Sequence, residues 1–193
     1  VTVTATATID ARAEALGVAA GGLAVGASLT DVTIEPVVTA ALGNPTAPAS
    51  GSVTVKANSL TVSAATNLPA SGFTGRATSH GSAGALVGVT STNAEVADNA
   101  TVKSFVGDSA ILTIAGATVI TAVNNTRQKA VADSNAGGLV AAGIADSDAN
   151  SNAKVEAFLG KNTTLTGASL TIGATGQDNN FAYTNAGAGG LIA

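Results

Sequence analysis

Apolar and polar residues alternate with a period of two along short stretches of the chain: Val1-Thr-Val-Thr-Ala5, Leu60-Thr-Val-Ser-Ala64 and Leu170-Thr-Ile-Gly-Ala174. Branched aliphatics followed by any residue and then a small one recur at Val62-Ser-Ala, Val102-Lys-Ser, Leu139-Val-Ala, Val155-Glu-Ala and Ile172-Gly-Ala. Alternation of this kind predicts strands with one face turned inward. Helix is a poor reading despite the abundance of alanine, because Thr, Val, Asn and Gly are scattered throughout and Gly interrupts every Ala-rich window.

The strands belong to a repeat. One marker is Val38-Thr-Ala-Ala-Leu-Gly43, repeated as Val102-Lys-Ser-Phe-Val-Gly107 and Val155-Glu-Ala-Phe-Leu-Gly160. A second is Ala20-Gly-Gly-Leu23, Ala83-Gly-Ala-Leu86, Ala136-Gly-Gly-Leu139 and Ala188-Gly-Gly-Leu191. A third is the Leu-Thr-Val-Ser-Ala type already quoted, present also at Val119-Ile-Thr-Ala122. The markers keep one order, at periods between 52 and 64. The irregularity sits in Pro/Gly-rich insertions at residues 43–51 and 67–72, where a missing N–H harms no ladder. The repeats run approximately over 1–58, 59–117, 118–169 and, in part, 170–193, in a single solenoid segment.

Such a repeat predicts an all-β fold, a parallel β-solenoid built from units of about 52 residues. The spacings Ile120 to Leu139, Leu139 to Val155 and Val155 to Ile172 suggest three coils of 16–19 residues per repeat, with two larger coils as the alternative. The aliphatic columns Val38, Val102, Val155 and Leu23, Leu86, Leu139, Leu191 are then the expected core and the surfaces for end-to-end contact. The general rule for parallel crossovers predicts a right-handed winding.

Composition agrees with a thin core. Of 193 residues, 42 are Ala, 26 Thr and 23 Gly; aromatic residues make up 3% and charged residues 10%, against roughly 25% charged in an average soluble domain. Large side chains to fill a thick globular core are scarce. The net charge of −4 and the lack of a basic run argue against nucleic acid and anionic membranes. No stretch approaches the ~18 apolar residues of a membrane-spanning helix. With no cysteine, a disulfide scaffold and a thiolate metal site are excluded. The chain opens on Val1-Thr-Val-Thr without a positive n-region, so it is expected to be a segment of something longer.

Leu-Thr-Val-Ser-Ala, an Ala/Thr-rich stretch, Gly-Gly-Leu, Val-x-Ala-x-Leu-Gly and Leu-Thr-Ile-x-Ala, in that order and over essentially the whole chain, resemble the repeats of very large bacterial exoproteins. These are the filamentous-haemagglutinin-like and leukotoxin-like adhesins with β-solenoid stalks. The resemblance implies a secreted or cell-surface location, a stalk or self-associating extracellular fibre, and a place in adhesion or biofilm. The partners it implies are flanking repeats, copies of the same chain end to end, and host or matrix glycans and proteins. Both chain ends fall inside a repeat, so open strand edges are expected.

Few residues promise chemistry, and no catalytic role or cofactor is assigned. Asp31, Glu95 and Asp148 share one offset, seven residues before Val38, Val102 and Val155. A solvated outer face is the plain reading. Calcium is the alternative, with the objection that repeat-equivalent acids would lie several coils apart. Asp146-Ser-Asp-Ala-Asn-Ser-Asn152 lacks the glycine and closing glutamate of a calcium loop. His80, the single histidine, has Ser79, Ser82 and Asp108 as imaginable triad partners, but sits in a polar stretch that reads as an exposed turn. Arg12, Arg76, Arg127 and Lys129 are spread too thinly for a lyase groove. Asn99, Asn124 and Asn162 stand in Asn-x-Thr sequons, the sites open to glycosylation. Thr2, Thr4, Thr6 and Thr8 form a Thr row suited to ice or glycan, which the equivalent strands do not continue.

Overall fold

A computed structural model of the chain describes residues 1–44 and 52–192. Four coils follow one another along it. The first contains β1 (Thr2–Thr8), β2 (Ala11–Ile34) and β3 (Val37–Leu42); the second, β4 (Thr54–Ala57), β5 (Leu60–Asn67), β6 (Gly75–Asp98) and β7 (Thr101–Val106). The third contains β8 (Ile111–Thr126), β9 (Gln128–Gly137), β10 (Val140–Ser151) and β11 (Lys154–Leu159). The fourth contains β12 (Thr164–Asp178) and β13 (Phe181–Gly189).

Stacking sorts these strands into three parallel sheets, consistent with a β-solenoid. Sheet A runs β1-β5-β8-β12, with β4 also on β8; sheet C is β11-β7-β3. In sheet B, β6 carries β2 on one side and both β9 and β10 on the other, and β13 pairs with β9.

The register corrects the expected coil count. Ile120 pairs with Ile172 and with Val62, and Val102 pairs with Val38 and with Val155. Each residue therefore stacks on its counterpart in the next repeat, so one repeat is one coil rather than three. The sub-segments of 16–19 residues are successive sides of that coil. Ile120 lies in sheet A, Leu139 between the two limbs of sheet B, and Val155 in sheet C.

The coil is large because sheet B folds back on itself. A Cβ at Gly17 would lie 3.2 Å from the carbonyl oxygen of Ala27, so the two halves of β2 face each other as limbs of an arm. The reversal falls on the Ala-Gly-Gly-Leu marker. Gly21 has φ +151°, which L side chains rarely adopt. At Gly138, a Cβ would collide with the carbonyl oxygen of Ala85 one coil below. Between limbs this close most of the inward side chains are small. Ala77, Ala94, Ala130 and Ala132 fill the arm with Val32, Ile34 and Val96, and Ser79 donates a 2.6 Å bond to the Ser28 carbonyl across it.

A second core lies between sheets A and C, where Leu60, Val62, Leu112, Ile114 and Ile120 face Val38, Val102 and Val106. Here the alternation is strict, and β5 reads buried at every odd step from Leu60 to Thr66. Phe105 and Phe158 stack at 4.9 Å at the end of sheet C. Val38 and Val102 are buried as expected, and Val155 is half-buried. The Leu column is not core. Leu23, Leu86, Leu139 and Leu191 are 72%, 61%, 50% and 85% exposed, because they crown the outside of the arm's tip. The insertion at 67–72 lies in the connection from β5 to β6, which Arg127 alone spans between β8 and β9. Residues 45–51 of the other insertion lie outside the described residues.

Candidate functional site

One coil per repeat brings repeat-equivalent residues into direct contact, and this reshapes every candidate. Asp31 pairs with Glu95, and Glu95 with Asp148. They are neighbours in a ladder with a step of ~4.8 Å, not several coils apart. All three point outward, as Asp146 and Asn150 also do on β10. Asn150 Nδ2 donates to Asp148 at 2.8 Å, and a shallow pocket of about 300 Å³ opens beside Leu29, Asp31, Asn93 and Glu95. Among the described residues no three His, Cys, Asp or Glu side chains converge closely enough to hold a metal. Asp146 to Asn152 forms no loop: its first part is the continuous strand β10.

The basic residues form a column of their own on the opposite limb. Arg12 pairs with Arg76, and Arg76 with Lys129. Arg12 bonds Glu14 at 2.6 Å and Arg76 reaches Asp10 at 3.1 Å. A hydrogen bond from Ser71, with the Arg76 guanidinium behind it, holds the Asp10 carboxyl below its usual range. Arg127 and Lys129 lie over the Phe73 ring, and Lys129 also over Phe181. On sheet C, hydrogen bonds from Lys154 and then Lys103 lower the pKa of Glu156.

His80 meets none of the three imagined triad partners. Its ring stands 3.7 Å from Asp133, the residue paired with it on the next coil. Ser79 is buried on the opposite face of the strand and donates to Ser28, while Asp108 lies in the turn between sheets C and A. Asn162 is exposed in a turn, at φ 55°. Asn99 is partly exposed and bonded to Glu35. Asn124 is fully buried, which closes that sequon to modification in the folded chain.

The outer face of sheet A carries no charge across β1, β5, the second half of β8 and the second half of β12. Thr2, Thr4, Thr6 and Thr8 lie beside Thr61, Ser63, Ala65 and Asn67; then come Val119, Thr121, Val123 and Asn125, and finally Thr171, Gly173, Thr175 and Gln177. Next to it the sheet bends at Asn58 and Gly116, and the register slips between Gly167 and Ser169. The bend opens a groove of about 590 Å³ lined by Lys56, Asn58, Thr113, Ala115, Thr166 and Gly167.

The most connected polar cluster was not legible in the sequence. Where sheets A and B meet, Asp98 is fully buried. Its Oδ1 accepts the Ala100 N–H at 3.1 Å, and Oδ2 lies 2.8 Å from the Thr126 hydroxyl and 3.3 Å from Asn124 Nδ2. The same Thr126 oxygen is 2.8 Å from Asp178, and Asn124 in turn accepts the Thr66 hydroxyl at 2.6 Å. Three coils contribute to it. Its residues lie on different coils and sheets, and no offset in the chain announces that they meet.

No family model, no curated protein and no solved structure matches this chain.

Proposed function

We propose that this chain is a structural segment of a secreted or cell-surface bacterial protein, a stalk or self-associating extracellular fibre of the adhesin type. The observation that carries the reading is the in-register pairing of each side of a coil with the coil above and below, through sheets A, B and C. Length added this way brings its own hydrogen bonds and its own core, and stiffness follows from continuous ladders. β1 and β3 pair on one side, as do β12 and β13. A further coil, from a flanking repeat or a second copy, meets matching columns of Val, Ala and Leu there.

Electron microscopy across concentration, with and without Ca²⁺, tests the self-associating form. Rods longer than one chain with a ~4.8 Å axial spacing are expected. Particles that stay compact and single at every concentration would leave a stalk whose coils come from one chain alone.

The uncharged part of sheet A along β1 and β5 favours a second reading, a surface that binds glycan or ice. Its Thr and Ser hydroxyls sit in columns, one of which links Thr121 to Ser63 at 3.2 Å. The rank of four Thr on β1 is not repeated on the next coils, and regular ice matching would require it. Freezing hysteresis and co-sedimentation with insoluble polysaccharide decide it, and absence of both removes the reading.

A further inference from the structure

The junction of sheets A and B holds two carboxylates with a shortage of positive charge. Among the described residues neither Asp98 nor Asp178 has a Lys, Arg or His partner. Both lie 2.8 Å from the one hydroxyl of Thr126, which has a single proton to give. Whichever carboxylate receives it, the other faces a lone pair of the same oxygen. The Asn124 amide is the one further side-chain donor near both, at 3.3 and 3.4 Å, and for the fully buried Asp98 a carboxylate without a counter-charge is costly.

Two side chains at the junction also hold buried polar atoms without partners. Ser151 stands directly on Asp98 in the next coil, and its hydroxyl is buried with no hydrogen bond. Gln128 is fully buried, and neither its carbonyl oxygen nor its amide nitrogen has a partner. The repeat shows where Gln128 points. One coil below, its counterpart is Gly75, where a Cβ would come within 2.7 Å of Ile34 Cδ1 and 2.6 Å of Val96 Cγ1. The counterparts of Ile34 and Val96 in the next coil are Asp98 and Ala149. The Gln128 side chain therefore enters the space that Ala149 leaves, beside the Asp98 carboxylate.

We propose that this junction is a binding site for a calcium ion, held by Asp98 and Asp178 with oxygens of Thr126, Ser151 and Gln128. All the donors are hard oxygens, as calcium requires, and two carboxylates balance its charge. Asp178 is the exposed member of the set, on β12 of the fourth coil. The ion ties coils two, three and four together at the point where the arm meets the body. It is separate from the outer ladder of Asp31, Glu95 and Asp148.

The test uses the full chain, stripped with chelator and titrated with CaCl₂ by calorimetry, with thermal melting in parallel. One equivalent of calcium per chain and a calcium-dependent rise in melting temperature are expected. Asp98→Asn lowers the affinity by about tenfold or more and removes the calcium-dependent rise, yet melts no lower than the unsubstituted protein in chelator. Should Asp98→Asn fail to fold, Asp178→Asn at the exposed side gives the same comparison. The triple variant Asp31→Asn, Glu95→Gln, Asp148→Asn keeps the binding. No heat and no shift for the unsubstituted protein would overturn the proposal. So would binding that survives Asp98→Asn and Asp178→Asn but disappears in the outer triple variant.

Discussion

Gly75 and Gln128 occupy the same position one coil apart, and their difference in size is matched by what faces them. Gly75 meets Val96 and Ile34, whereas the counterparts opposite Gln128 are Ala149 and Asp98. Gly75→Ala should therefore cost about 1–3 kcal/mol through overpacking, and adding Val96→Ala should recover part of it; denaturant titration of the three variants checks the coupling. A second pair uses one substitution at two positions that the sequence presented alike. Leu60→Ala, in the core between sheets A and C, should cost about 2–5 kcal/mol. Leu139→Ala, half-exposed at the arm's tip, should stay within about 0.5 kcal/mol. Equal losses in the two melts would place the tip in a core after all.

At the scale of the element, in-register pairing repeats every charge at the strand spacing. Asp31, Glu95 and Asp148 face one another with no basic residue interleaved, and like charges directly opposite destabilise a sheet. Glu95→Gln should raise stability by about 0.2–1 kcal/mol at low ionic strength, and the gain should fade in salt as screening sets in. An unchanged melting temperature at low salt would mean the ladder is already compensated. Sheet C has the opposite arrangement, with Lys103 and Lys154 at 3.0 and 2.9 Å from Glu156. The Glu156 pKa is lowered in the folded chain, so its contribution is present above the ordinary carboxylate pKa and disappears as pH falls through the depressed value. Glu156→Gln should flatten that part of the acid limb of the stability–pH curve, by a small amount because the pair is exposed.

At the scale of the whole molecule, the unit of construction is the coil. Ile111 pairs with Thr164 and Val102 with Val155. Deleting residues 111–163 therefore removes one turn of the solenoid and joins Ala110 to Thr164 in register. That protein should keep its strand signal by circular dichroism and unfold cooperatively at lower stability, since each coil adds its own interfaces. Deleting a third of that length, residues 140–156, should abolish folding, because it takes a limb from the arm and half of the sheet C strand from one coil. Survival of the short deletion and loss of the long one would restore coils of 16–19 residues.

The sequence alone carried the strand periodicity, the repeat, the parallel solenoid and the thin core, since alternation, self-similarity and side-chain volume are all local properties. It did not carry the number of coils per repeat. A period-2 strand looks the same whether its neighbour is about 17 or 52 residues away, and only the pairing of Ile120 with Ile172 separates the two. The same ambiguity placed the Leu23 column in the core and set the outer acids apart. The Asp98 junction needed the tertiary structure most. Burial there comes from three coils and two sheets meeting, and only their convergence decides which polar residues face inward together.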